Sequence, residues 1–208
     1  LNYRRADFKR ATAGALTARR KAAAAKLETA VTKELKPLKL DKAKFAVALS
    51  PLTLEQATAA GLDAVEFQIA TNPGTPAGPL TKIASGGELA RVILALKVAL
   101  AERGTAPTLI FDEVDQGVGG AVADAVGARL ARLGRQAQVL VVTHSPQVAA
   151  RGDRHFRIAK KTAGGVTLTG VTALDETGRR EEIARMLSGA SITDEARAAA
   201  ETLLAARG

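Results

Sequence analysis

The sequence predicts an α/β fold built on a parallel core sheet, and three features of its second half support this prediction. A continuous apolar run at 107–113 ends in two acids, and a second apolar run at 138–142 is followed by Thr-His. A segment with helical spacing of apolar residues, 119–134, lies between them. A strand, a helix and a strand in this order form a βαβ unit with parallel strands. Continuous apolar strands are typical of sheets that are buried on both faces.

The composition is that of a folded protein without disulfides. The chain has 208 residues, 47% of them hydrophobic, and no cysteine, which excludes thiolate chemistry and fits a cytoplasmic protein. It has no uninterrupted apolar run of about 18 residues, so no membrane span is predicted. The net charge is +9, and residues 1–44 hold all of it, with 13 Lys and Arg against 4 Asp and Glu.

Residues 1–36 are predicted to form one helix, because they are rich in Ala, Lys, Arg and Leu and contain no proline. Their apolar side chains fall roughly on one side and Pro37 follows, so this helix is amphipathic or the end of a coiled coil. Its positive face either contacts the phosphates of DNA or is simply solvated. The candidate DNA-facing side chains are Arg4, Arg5, Arg19, Arg20 and Lys21.

Alternation, turn residues and helical spacing predict the remaining elements. In the first half they are strands at 44–50 and 63–70, a loop at 71–80, and a helix from Gly87 to about Arg103. After the βαβ unit they are an edge hairpin at 155–171 that turns at Gly164-Gly165, and helices near 177–188 and 193–207.

Two carboxylates, Asp112 and Glu113, stand where the first apolar strand ends. Neighbouring residues on a strand point to opposite sides, so the two side chains can perform different tasks. One is suited to hold Mg²⁺ on nucleotide phosphates, and the other to orient and deprotonate an attacking water. The competing interpretation is a strand that simply runs into polar residues. Asp115 and a glycine-rich turn follow directly.

His144 ends the second apolar strand, at the same edge of the predicted sheet as the acids. A neutral imidazole there could hydrogen-bond a phosphate or the attacking water, although a histidine that only caps a strand end fits the pattern equally. The chain has only two histidines, so a zinc cluster is not predicted.

Ser85, Gly86 and Gly87 precede an amphipathic helix, and Glu88 completes an S-x-x-E capping box. Helix N-termini bind anions through free N–H groups, and glycines leave room for a phosphate. The chain has no G-x-x-x-x-G-K-[ST] motif, so it lacks the lysine of a primary nucleotide cradle. The segment suits a second surface that closes over a nucleotide held elsewhere, and Glu88 either caps the helix or shapes that surface.

Taken in order, Ala84 to Glu88, then Asp112-Glu113, then His144 resemble the signature, Walker B and switch motifs of a split ABC-type ATPase head. The wider sequence is similar to the RecN family of SMC-like DNA-repair ATPases, over about residues 27–190. The matching stretches are TNPGTP, LTKIASGGELARVILALK, PTLIFDEVDQGVGG, VLVVTHSPQVAARGDRHF and EEIARMLSG. The resemblance implies a P-loop NTPase head of the ABC/SMC type, with 1–40 as the end of a coiled coil and 41–208 as the C-terminal lobe.

The resemblance also implies a role for each motif. Ser85, Gly86 and Gly87 would touch the γ-phosphate of ATP bound on an opposing head, and Glu88 is either a further ligand contact or a helix cap. The roles of Mg²⁺ ligand, general base, first D-loop residue and switch would fall, in that order, to Asp112, Glu113, Asp115 and His144.

Three partners follow from the same resemblance, with ATP and Mg²⁺ as cofactors. The first is an N-terminal half that carries Walker A, without which this chain is predicted to be inactive. The second is another head, joined in a homodimer through sandwiched ATP, and the third is DNA, in double-strand break repair at the nucleoid and away from membranes. The alternatives are another SMC-like repair ATPase, of the RecF or SbcC type, and a non-hydrolysing DNA-binding scaffold.

Overall fold

A computed structural model of the chain describes residues 2–83, 85–101, 107–163, 166–189 and 191–206, and the side chains of these residues except 2–10, 161, 163 and 166. The chain forms two compact units, Leu1–Ala99 and Leu100–Gly208. Four residues named above, Ala84, Arg103, Gly164 and Gly165, lie outside the described residues. No helix in the described part of the chain combines the length and the apolar character that crossing a membrane requires.

The first unit combines two helices with a small antiparallel sheet. Its strands lie side by side in the order β1-β2-β3. The register pairs Lys44 with Ala70 and Pro51 with Asp63, so β1 and β2 form a full-length hairpin. The elements are α1 (Asn2–Leu35), β1 (Lys44–Pro51), β2 (Asp63–Ala70), β3 (Gly78–Pro79) and α2 (Gly86–Ala99).

Helix α1 packs against β1 and α2 along one side. Val31 and Leu35 are fully buried on that side, as expected from their helical spacing. Nearer the N-terminus, Thr17 and Arg20 both donate hydrogen bonds to Asp63 at the start of β2. Arg20, one of the predicted DNA-facing charges, is therefore engaged within its own unit.

The second unit contains the predicted βαβ arrangement. The strands β4 (Thr108–Asp112) and β5 (Gln138–Val142) are parallel, in register from Thr108↔Gln138 to Asp112↔Val142, and α3 (Gly120–Gly134) connects them. The parallel sheet predicted from the sequence is thereby confirmed. The remaining elements are α4 (Pro146–Arg151), β6 (Phe156–Ala163), β7 (Val166–Ala173), α5 (Glu176–Ser188) and α6 (Asp194–Ala205).

Helices α4, α5 and α6 share a small apolar core made mostly of alanine. Ile183 and Ala184 of α5 are fully buried, and Ala150, Ala196 and Ala200 pack around them. The short side chains allow the three helix backbones to approach closely, which holds α4 in place although it has only six residues.

Two expectations about individual elements are wrong. Helix α2 ends at Ala99, rather than near Arg103. Glu113 lies beyond the last residue of β4 and not within the strand, so strand alternation does not set the direction of its side chain. Helix α4 was not predicted, although Ser145 followed by Pro146 is a common helix start.

The burial of the parallel strands also differs from the prediction. Phe111 is 8% exposed on one face, whereas Ile110 on the other face is 72% exposed. Leu140 and Val142 of β5 are 47% and 45% exposed. In the part of the chain that the structure describes, the two strands are thus covered on one face only, and the apolar sequence of the other face has no cover.

Candidate functional site at the ends of the parallel strands

The parallel register of β4 and β5 brings the acids and the histidine to one edge of the sheet. Asp112 pairs with Val142, so the segments that follow these two residues leave the sheet side by side. The N–H of Glu113 donates to the carbonyl of Val142 at 3.1 Å, which extends the ladder by one hydrogen bond. Glu113, Thr143 and His144 therefore emerge from adjacent strand ends, where ligands of parallel sheets bind.

Glu113 has an unusual backbone conformation. Its φ of 49° lies in the left-handed region, which a residue with a side chain occupies at a cost of about 1 kcal/mol or more. The N–H of Gln116 donates to the Glu113 carbonyl at 2.9 Å, and the Gln116 side chain donates to the Glu113 carboxylate at 3.3 Å. Strain of this kind is concentrated at functional sites.

Asp112 is exposed at the last position of β4. No group of three Asp, Glu, His or Cys side chains that could form a complete metal cage occurs among the described residues. Mg²⁺ does not require such a cage, because it takes one or two carboxylates and fills its other positions with water and phosphate oxygens. The exposed carboxylate of Asp112 therefore fits Mg²⁺ bound to a nucleotide.

Asp115 is buried, with 7% of its surface exposed. Its carboxylate accepts a short hydrogen bond from the hydroxyl of Thr143. The same hydroxyl accepts a hydrogen bond from the N–H of Ser145 at 2.9 Å. Asp115 thus connects the turn after β4 to the loop after β5. The connection runs through Thr143 and Ser145, the two residues that flank His144 in the sequence.

These segments surround a cavity of about 560 Å³. Its lining includes Glu113, Asp115, the glycine-rich turn 116–120 and the loop 144–147, with Met186 and Leu187 of α5 at another side. Within the turn, Gly117 and Gly120 have positive φ values of 73° and 53°, which glycine adopts without strain. The cavity is large enough for a small molecule or an inserted side chain of a partner.

The signature segment begins α2 in the first unit. Ser85 Oγ accepts a 3.4 Å hydrogen bond from the Glu88 N–H, which is half of the predicted capping box. A side chain at Gly86 would meet nothing within 4 Å, so internal packing does not require glycine there. Gly87 is buried.

Glu88 acts on Arg91, one helical turn further along α2. Burial lowers the pKa of Arg91, and the nearby Glu88 carboxylate partly opposes this shift. The side chain of Glu88 is thus close enough to stabilise the charged form of a buried arginine, a third role beside the two considered from the sequence.

The structure therefore brings three of the predicted site residues together. Glu113, Asp115 and His144 line one cavity, and Asp112 precedes them at the strand end. The segment Ser85–Glu88 belongs to the other unit. Sequence reasoning placed Thr143 at the strand end without a role and missed Gln116, whose polar side chain beside a candidate catalytic residue was the available signal.

The chain is similar to proteins described as the DNA repair protein RecN. It is 49% identical over 195 residues to the protein from Xylella fastidiosa, covering 94% of this chain and 35% of that protein. It is 46% identical over 189 residues to the protein from Rickettsia prowazekii, covering 91% of this chain and 34% of that protein. The chain thus spans about a third of the length of these relatives. No family model matches it.

Among solved structures, the chain is similar to an Smc head domain with a coiled coil and joint from Pyrococcus yayanosii. The TM-score is 0.54 and the identity 20%, over 76% of this chain and 28% of that one. This likeness shows that the chain shares the fold of part of an Smc head domain, as the sequence predicted.

Proposed function

Because the chain belongs to the RecN family, of whose members it spans about a third, we propose that it is the C-terminal half of a RecN-like ATPase head that acts in DNA double-strand break repair. The observation that carries the proposal is the common cavity of Glu113, Asp115 and His144. An acid suited to act as a base, a histidine and a glycine-rich turn converge there at the ends of parallel strands, as nucleotide hydrolysis requires.

We assign the chemistry to three side chains. Glu113 orients and deprotonates the attacking water, and Gln116 steadies its carboxylate. Asp112 holds the metal, and His144 donates a hydrogen bond to the reacting phosphate or accepts one from the water. When bound, Mg²⁺ neutralises the charge that develops on the phosphate oxygens of ATP.

The signature segment is assigned to ATP bound on a second head. The first N–H groups of any helix have no intrahelical acceptor, and at α2 the Ser85 hydroxyl already accepts from the Glu88 N–H, so we assign the N–H groups of Gly86 and Gly87 to the anion. Open space beside Gly86 supports close approach by a phosphate. Engagement of two heads by ATP, and their release on hydrolysis, follow from this assignment.

The uncovered face of the parallel sheet supports an N-terminal half as the missing part of the head. Ile110, Leu140 and Val142 expose apolar surface that water solvates poorly. A chain that contributes the phosphate-binding lysine would complete both the sheet and the site. We therefore expect this chain to hydrolyse no ATP by itself.

We assign DNA binding to the basic helix α1. This helix lies in the first of the two domains proposed from the sequence, 1–40 and 41–208. Arg19 and Lys21 are exposed and can reach phosphates, whereas Arg20 is bound to Asp63. The side chains of Arg4 and Arg5, also proposed to face DNA, lie outside the described part of the chain. A cytoplasmic, nucleoid-associated location follows from this proposal and from the description of the relatives as DNA repair proteins.

The test is Glu113→Gln in the full-length protein. The amide keeps the size of the side chain but cannot take a proton, so we expect ATP turnover to fall by about a hundredfold or more while ATP binding persists. Glu55→Gln, in an exposed loop, is the matched control and should turn over normally.

An unchanged rate in Glu113→Gln would refute the assignment of the general base. A protein that binds DNA but shows no ATP turnover even before substitution would instead support the scaffold alternative.

A further inference from the structure

The hydroxyl of Thr143 both donates and accepts a hydrogen bond. It donates to the buried carboxylate of Asp115 and accepts from the N–H of Ser145 at 2.9 Å. Since the amide can only donate, the hydroxyl proton must point to Asp115. The carboxylate, the hydroxyl and the amide form a directed chain in which each hydrogen bond strengthens the next.

This chain joins two segments that are 28 residues apart in sequence. One is the turn that follows Glu113, and the other is the loop that contains His144. Both neighbours of His144 take part, because Thr143 precedes it and Ser145 follows it. The geometry of the histidine backbone is therefore coupled to the turn that carries the candidate base.

Because Asp115 is buried, the turn that contains it depends on the hydrogen bond from Thr143. Asp115 is 7% exposed, so a carboxylate that lost the Thr143 hydroxyl would stay in a place with little access to water. A buried carboxylate without its donor is unfavourable, and the turn would move to satisfy it. A shift in that turn would also displace Glu113, whose left-handed backbone is held by Gln116 of the same turn.

We propose that Thr143 is a positioning residue that keeps Glu113 and His144 in a common geometry through Asp115. The proposal rests on the proposed ATPase function and deepens it, because it gives Asp115, so far only the first D-loop residue by resemblance, the role of an internal anchor. Thr143 itself touches no reacting atom in this account.

The experiment measures kcat and KM for ATP in the full-length protein with Thr143→Val and Thr143→Ser. Valine keeps the shape and removes the hydroxyl, so kcat should fall at least about tenfold while KM changes by less than about threefold. Serine keeps the hydroxyl and should restore kcat to within about threefold of the original protein. Thr162→Val, on the exposed hairpin, is the matched control and should leave both constants unchanged.

A second measurement combines Thr143→Val with Asp115→Asn. If the two residues act through one hydrogen bond, the double variant should be no slower than the slower single variant. This comparison among variants remains informative if valine lowers the overall stability, as does the comparison of serine with the original protein.

Three results would overturn the proposal: a valine variant as fast as the original protein, a serine variant as slow as valine, or independent losses that multiply in the double variant. Glu113→Gln, measured in parallel, separates this failure from failure of the proposed function. If Glu113→Gln abolishes turnover and Thr143→Val does not, the ATPase assignment stands and the positioning role falls.

Discussion

At the scale of single residues, the site depends on polar side chains that are fixed by hydrogen bonds which the sequence does not predict. Glu113 lies outside its strand with a left-handed backbone, and its carbonyl and carboxylate are both bound by Gln116. Asp115 is buried against Thr143. Only the residue types and their order were predictable, because a backbone dihedral angle and a contact across 28 residues depend on the folded sheet.

Asp63 gives a pH-dependent prediction at the same scale. The Thr17 hydroxyl donates to both of its carboxylate oxygens, at 2.9 and 2.8 Å, and the Arg20 guanidinium donates at 3.0 Å. These bonds, that of Thr17 foremost, hold the pKa of Asp63 below its usual value. A lowered folded-state pKa stabilises the protein above the unfolded-state value of about 3.9, and this stabilisation is lost as the pH falls through the folded-state pKa.

We therefore expect the amide protons of α1 beside Asp63 to lose protection against exchange below about pH 4. In Asp63→Asn that acid-dependent part of the loss should disappear, because no carboxylate remains to protonate. Identical pH profiles in the two proteins, measured by hydrogen exchange, would show that Asp63 does not stabilise this contact.

At the scale of elements, α4 depends on one arginine of α5. Arg179 is 5% exposed, and its guanidinium donates to four carbonyls at the end of α4 and just after it. The acceptors are Ala149, Ala150, Gly152 and Asp153. A cation at this position satisfies carbonyls that a helix C-terminus leaves free.

Arg179→Met keeps much of the apolar stem and removes these hydrogen bonds. We expect it to destabilise the second unit by about 3 kcal/mol, since the buried Ala150 carbonyl and three less buried carbonyls lose a charged donor. The measurement is denaturant unfolding, followed by hydrogen exchange in α4. Arg180→Met, at the more exposed neighbouring position, should change the free energy of unfolding by less than about 0.5 kcal/mol. Equal effects of the two substitutions would contradict this role.

The close packing of α3 against α4 could also not be predicted from the sequence. A β-carbon on Gly127 would lie 2.9 Å from Arg151 Cγ and 3.2 Å from the Gln147 carbonyl, so only glycine fits there without a shift. Arg151 also donates to Asp124 of α3. Long apolar or alternating segments were predictable by type, whereas a six-residue helix held by its neighbours was not, because few of its residues carry a periodic signal.

At the scale of the whole molecule, the uncovered sheet face gives a prediction about assembly. Ile110→Asp places a charge on the apolar surface proposed to receive the N-terminal half, where burial would be costly. We expect at least a tenfold loss of co-purification when this chain and the N-terminal half are expressed as separate pieces. Leu54→Asp, at an exposed apolar position in a loop, should not reduce it.

Undiminished co-purification of the Ile110→Asp chain would show that this face is not where the two halves meet. The sequence itself indicated burial on both faces of these strands, and the described residues cover only one. The proposed N-terminal half accounts for this difference, because strands that are apolar on both faces fit neighbours on both faces.

The left-handed conformation of Glu113 has a consequence for how this position changes over evolutionary time. Mutations to glycine or asparagine would relax the backbone, so selection for stability alone favours replacing the glutamate. A lineage that kept the fold but abandoned hydrolysis should therefore lose this residue early. Its persistence in a set of descendants would be a sign that turnover is still under selection in them.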